Sequence, residues 1–170
     1  MFRFKRIVLQ FMAFLGLLYP IAWLCARATK FVRVEGKNSY SGNVFRVLAL
    51  NHARFRGDLE ILATTGEFEV YRAPFEWQGR FVQIFYKKTL NLCNKDKDPE
   101  VSRDQKALRK FLHSFLKVYY RILKIDCVIG AAVHYRQDFD WGAVSHEIGV
   151  SYIVFHKECF FASEGSIEGV

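Results

Sequence analysis

Two histidines, His134 and His156, stand where an apolar run gives way to polar residues. Tyr135, Arg136 and Asp138 follow the first, and Lys157 and Glu158 follow the second. A third place of the same kind carries Asn51, His52, Arg54 and Arg56. Imidazole changes charge near neutrality, and guanidinium groups hold carboxylates and phosphates through paired hydrogen bonds. Such groups bind polar, hydroxylated or anionic ligands and move protons. One histidine at a strand end is ordinarily structural; three polar clusters at the ends of apolar runs argue for a site. Arg54 and Arg56 also precede an expected helix start, where an anion is favoured. The competing reading for both is solvation or pairing with Asp58 and Glu60.

Several chemistries are excluded by spacing. His146-Glu147 does not open an H-E-x-x-H zinc motif, because Val150 stands where the second histidine is needed. There is no G-x-S-x-G elbow, no G-x-G-x-x-G and no Walker sequence. Cys25, Cys93, Cys127 and Cys159 form no C-x-x-C pair and no zinc spacing. The expectation is no metal, no cofactor, no disulfide and a reducing compartment.

The elements that would position these groups can be read from pattern. Phe45 to Leu50, Phe68 to Tyr71, Cys127 to Val133 and Tyr152 to Phe155 are short apolar runs of the kind buried on both faces of a sheet. Between the first two, Leu59 to Thr65 reads as a short helix stopped at Gly66. Between the last two, Trp141 to Glu147 reads as another, capped by Asp138 or Asp140 and stopped at Gly149. Strand, short helix and strand make a βαβ unit, whose strands are parallel. Asp104 to Lys124 is the clearest helix. Its apolar face holds Leu108, Phe111, Leu112, Phe115, Val118, Tyr119 and Ile122, and most of its cations lie on other faces, exposed to solvent or to anionic lipid. Pro74 to Arg103 reads as irregular, with an exposed loop over Asn91 to Arg103. The predicted fold class is α/β, an open, mostly parallel Rossmann-like sheet with helices on its faces. In such sheets ligands sit outside the carboxyl ends of the strands, which is where the polar clusters fall.

A chain of 170 residues, 51% hydrophobic and 16% aromatic, can build one ordinary domain. The net charge of +8 is unevenly placed. Arg3, Lys5, Arg6, Arg27 and Lys30 lie in residues 1–30 with no acid among them, which leaves +3 for the remainder. Basicity that flanks an apolar segment argues against nucleic acid as the partner. Ile7 to Ala26 carries no charge and is long enough to span a hydrocarbon core. Two forms of membrane attachment are open: a single span, or a kinked, half-inserted hairpin with Pro20 near its bend and basic ends on anionic headgroups. A core helix of a soluble domain is the competing reading. The expected organisation is a membrane anchor at residues 1–30, a linker at 31–43 and the α/β domain at 44–170.

The run Val128-Ile-Gly-Ala-Ala-Val-His-Tyr-Arg-Gln-Asp, then Asp140-Trp-Gly-Ala, then Glu147-Ile-Gly-Val-Ser-Tyr-Ile-Val-Phe-His-Lys-Glu158 resembles the N-terminal, acceptor-side half of GT-B-type glycosyltransferases. It is most similar to those of bacterial capsule and surface-polysaccharide synthesis, over roughly Val44 to Val170. The resemblance implies an acceptor-binding domain that supplies the base for an acceptor hydroxyl. A second Rossmann-like domain, absent from this sequence, would bind the nucleotide-sugar donor. On that resemblance His156 or His134 is the base, and Glu158 orients it or binds a sugar hydroxyl. Asn51, Arg54, Arg56, Tyr135, Arg136 and Asp138 are the substrate-binding candidates. The implied acceptor is a glycan or a lipid-linked saccharide, and the implied place is the cytoplasmic face of the inner membrane. A non-catalytic, membrane-anchored binding or scaffold protein is the alternative.

Overall fold

The structure, a computed structural model, describes residues 2–31, 33–34, 44–50, 56–73, 75–86, 99–130 and 136–154. The elements in chain order are helices α1 (Phe2–Phe14) and α2 (Tyr19–Phe31), strand β1 (Phe45–Ala49), helix α3 (Arg56–Thr64), strand β2 (Phe68–Arg72), helices α4 (Phe75–Phe85) and α5 (Pro99–Leu123), strand β3 (Cys127–Gly130), helix α6 (Arg136–Glu147) and strand β4 (Ser151–Val154).

All four strands are parallel and lie in the order β2-β1-β3-β4. The expected α/β class and parallel sheet are therefore present. Alternation along the strands sends Leu48, Tyr71 and Val128 to one face and Val47, Ala49, Val70, Cys127 and Ile129 to the other. The first face shares a core with α2, α4, α5 and α6. The second is covered by α3 through Leu59, Leu62 and Ala63.

Helix α5 is built as its pattern predicts, but it starts earlier. Pro99 suits a first helical position because its missing N–H would find no intrahelical partner there. Asp104 is therefore in the second turn, where it is buried and ion-paired to Arg6. Val101 is buried too, so an exposed loop reaching Arg103 is overturned. The helix ends on Lys124 at φ 55°, and the Ile125 N–H reaches back to the Tyr120 carbonyl at 3.1 Å. Phe111, Phe115 and Tyr119, one turn apart, stack with centroids 5.7 and 5.4 Å apart. Phe85 stacks on Phe111 at 5.2 Å, and Phe81 packs against both Phe111 and Phe115.

Those contacts explain α4, which replaces the irregular segment expected after Pro74. Phe81 and Phe85 recur at helical spacing and are buried on α5. Gly79 interrupts the local pattern, and tertiary packing overrides it.

The N-terminal segment is a bent pair of helices, meeting at 103° across residues 15–18. No single helix among the described residues is long and apolar enough to cross a membrane. The bend is set by Gly16 at φ 70°, with the Leu17 N–H on the Met12 carbonyl at 2.8 Å. Pro20 stands near the bend, as expected, in the first turn of α2. The pair is not detached from the domain. Leu18, Ala22, Cys25 and Ala26 are buried in the main core, and the Thr29 hydroxyl is 2.7 Å from that of Tyr119. Arg6 also donates to the Phe85 carbonyl at 2.9 Å. Val34, in the expected linker, is buried and donates its N–H to the Val70 carbonyl at 3.0 Å.

Candidate functional site

Strand order reverses between β1 and β3: the chain goes outward from β1 to β2 on one side and from β3 to β4 on the other. The two central strands end together, with the Leu50 N–H on the Ile129 carbonyl at 2.7 Å. In open α/β sheets this reversal leaves a crevice at the carboxyl edge. The segments leaving it, residues 51–55 and 131–135, lie outside the described residues, as do residues 155–158. Asn51, Arg54, His134, Tyr135, His156 and Glu158 are thus all outside the described part of the structure. Arg136 is the first residue of α6.

The remaining two candidates fall in different places. Arg56 opens α3 and is highly exposed, with its Nε on Glu60 at 2.9 Å, one turn along. That is the pairing weighed against an anion site, and a surface pair of this kind contributes little. Asp138 lies in the first turn of α6 and is fully buried. It does not cap the helix from outside, nor does Asp140, because α6 begins two residues before Asp138.

Around Asp138 the fold assembles a buried polar group that pattern reading did not find. Gln78 of α4 is buried and donates its Nε2 to the Asp138 carboxylate at 3.4 Å, a long contact. Tyr152 of β4 lies over the last residue of β3 and the middle of α6. A Cβ on Gly142 would fall 2.6 Å from its ring, and one on Gly130 would collide with its hydroxyl. Burial, reinforced by the negative charge of Asp138, pushes the Tyr152 phenol up, so at neutral pH it is a hydrogen-bond donor and not a base. Among the described residues, its hydroxyl and the Gln78 side-chain carbonyl have no hydrogen-bond partner. Buried polar atoms without a partner are costly and uncommon. They are the atoms here with unused capacity for a ligand hydroxyl or a water.

Asp140, two residues on, is held by three hydrogen bonds. It accepts from Gln105 and Arg109, each at 2.8 Å, and from the Tyr86 hydroxyl at 2.9 Å. The Arg109 guanidinium also stacks 5.1 Å from the Phe139 ring. Deeper still, Ser145 donates to the Trp141 carbonyl, so the Tyr120 hydroxyl donates to Ser145 and accepts from the Trp141 indole at 2.6 Å. These two networks hold α6 against α5 and the end of α4, a structural role. Among the described residues no group of three His, Cys, Asp or Glu could hold a metal ion.

Gln78, Tyr152 and the Asp140 partners had little signal in the sequence. Gln78 sits in a stretch without clear periodicity, and Tyr152 reads as one more strand aromatic. The glycines opposite it, Gly130 and Gly142, were the available clue. No protein-family model, curated protein or solved structure matches this chain.

Proposed function

We propose that this chain is the acceptor-side half of a membrane-associated GT-B-type glycosyltransferase, acting at the cytoplasmic face of the inner membrane. The observation that supports it most is the buried Gln78–Asp138 pair, with the buried Tyr152 hydroxyl in the field of Asp138, beneath the carboxyl edge of a parallel sheet, beside the reversal of strand order. Sugars are recognised by uncharged donors and acceptors together with carboxylates, and that is the composition of this group. In the proposed reaction His156, or His134, takes the proton of an acceptor hydroxyl. The oxygen then attacks the anomeric carbon of a nucleotide-sugar held by a second domain, and the nucleoside diphosphate leaves with the bonding pair.

The test is a titration of the full chain in lipid nanodiscs with short glycans, a lipid-linked saccharide and nucleotide-sugars. Saturable acceptor binding is expected, lost in His156→Ala at unchanged melting temperature. Tyr152→Phe separates site from scaffold. Its hydroxyl has no partner among the described residues, so its loss leaves stability level or raises it by up to about 1 kcal/mol, while acceptor affinity falls. Failure of every acceptor to bind, or binding of nucleotide-sugar alone, overturns the reading. A protein that binds a macromolecular partner at this edge and no sugar would be the scaffold.

A further inference from the structure

The outer surfaces of α1 and α2 are built inside out. Residues 1–34 contain no acid. On α2 the side chains turned into the core are mostly small (Ala22, Cys25, Ala26, Thr29), whereas Tyr19, Trp23 and Leu24 face outward. On α1 the outward set is Phe4, Ile7, Val8, Phe11 and Phe14, at helical spacing. Leu15 and Leu17 at the elbow are exposed as well, and Phe14 is 81% exposed. A water-facing surface puts its largest apolar groups inward; this one does the opposite, and contiguously.

Beside it runs a stripe of cations. Lys106, Lys110, Lys117, Arg121 and Lys124 are all exposed. The first four recur at i, i+4, i+11 and i+15, which at 3.6 residues per turn keeps them within an arc of about 60° over about 22 Å, and Lys124 follows at the helix end. The two surfaces touch: Lys110 of α5 and Phe14 of α1 line one small cavity with Gln10, Ala13 and Ser114. Arg27 and Lys30 add charge along α2, Arg27 over the Trp23 ring at 5.5 Å. Asp126 lines a groove with Lys117, Arg121 and Lys124 and accepts the Arg46 N–H at 2.7 Å.

We propose that the α1–α2 elbow and the α5 stripe form one docking surface for an anionic lipid leaflet. The elbow enters the acyl boundary of that leaflet alone, and the stripe lies on its phosphate headgroups. An apolar wedge against a row of cations matches the layered chemistry of a bilayer surface. A nucleic acid would meet the cations but leave the wedge in water. The proposal takes up the membrane part of the reading above and is independent of the transfer chemistry, since lipid binding is measured with no sugar present.

The experiment is flotation of the full chain with vesicles of phosphatidylcholine, with and without phosphatidylglycerol. Binding is expected to the anionic vesicles and to fall steeply with salt. Phe11→Ser with Phe14→Ser should weaken it by roughly tenfold or more. Lys110→Glu with Lys117→Glu should weaken it by at least about tenfold, each cation near an anionic surface counting for roughly fivefold. All four positions are at the surface, so circular dichroism should be unchanged in both variants. A tag at Met1 should stay open to protease added outside the vesicles. Equal binding to neutral vesicles, indifference to either pair of substitutions, or protection of the tag would each overturn the proposal. So would a soluble dimer that buries the elbow, or an oligonucleotide that binds without regard to Phe11 and Phe14. Loss of vesicle binding would leave the acceptor titration standing.

Discussion

Tyr152 of β4 fills the space that a side chain on Gly142 of α6 would need, its Cε1 lying 2.6 Å from the position of a Cβ there. Helix and strand are thereby locked in register around a ring held by a missing side chain. Gly142→Ala gains helix propensity of about 1 kcal/mol but must displace the ring. Overpacking of this kind costs about 1–3 kcal/mol, so net destabilisation is expected in chemical denaturation. Combining it with Tyr152→Leu should recover part of the loss. Additive losses would mean that the ring does not press on Gly142.

The Asp140 network carries a larger stake. Its carboxylate is fully buried and Arg109 is partly exposed, so the pair is more than a surface bridge. Asp140→Asn turns an amide toward three donors and strips Arg109 of its counter-charge. Removing one partner of a buried pair costs about 3–5 kcal/mol. The lower end is expected, because solvent reaches Arg109. A melting temperature within a degree or two of wild type would show that the network contributes little.

A separate pH dependence comes from β2. Burial alone would raise the Glu69 carboxyl, but hydrogen bonds from Tyr71 and Arg46 and the charges of Arg33 and Arg46 outweigh it and hold the group below its ordinary value of 4.5. A depressed carboxyl contributes stability that is present above the unfolded value and is lost as pH falls through the folded one. Stability should therefore decline below about pH 4.5, and Glu69→Gln should flatten that part of the profile while lowering the plateau above it. Burial also raises the neighbouring Tyr71 phenol, and hydrogen bonding to Glu69 adds to the rise, bringing it to about 12. Tyr71 therefore stays neutral throughout this window. An unchanged acid limb in Glu69→Gln would contradict the assignment.

Deleting residues 1–31 should unfold the domain and not merely release it from membranes. The deletion removes Leu18, Ala22, Cys25 and Ala26 from the main core, strips the Tyr119 hydroxyl of Thr29, and leaves Asp104 without Arg6. Each buried Leu-sized loss costs about 2–5 kcal/mol, comparable with the total stability of an ordinary domain. A truncated chain that stays folded and soluble by circular dichroism would show that the helices are an appendage.

Much of the scaffold is legible in the sequence alone. The apolar runs of β1 and β3, the aromatic repeat of α5 and the helix stops at Gly66 and Gly149 depend on neighbours within a few residues, and both glycines do adopt positive φ, 80° and 82°. Parallel pairing was legible too, because a short helix between two strands allows little else. Boundaries were less so: α6 and α5 each begin five residues earlier than their patterns suggested, since buried polar residues at their starts do not look like core.

The site was a different matter. Asp138 stood out as a polar residue after a strand, and nothing local said that it would be buried against Gln78, 60 residues away. Asp140 looked equivalent to it, yet its three partners come from 31, 35 and 54 residues distant and tie it into the scaffold. The N-terminal helices show the same division. Their sequence specifies an apolar segment, Ile7 to Ala26, without a charge and suggests a bend near Pro20; the structure puts the break at residues 15–18, with Gly16 at positive φ. Apolar residues surround both helices, so periodicity could not say which side turns inward. On α2, packing against α5 settled that largely in favour of the small side chains Ala22, Cys25, Ala26 and Thr29, because close approach of two helices needs small residues at the contact, and it left Tyr19, Trp23 and Leu24 outside.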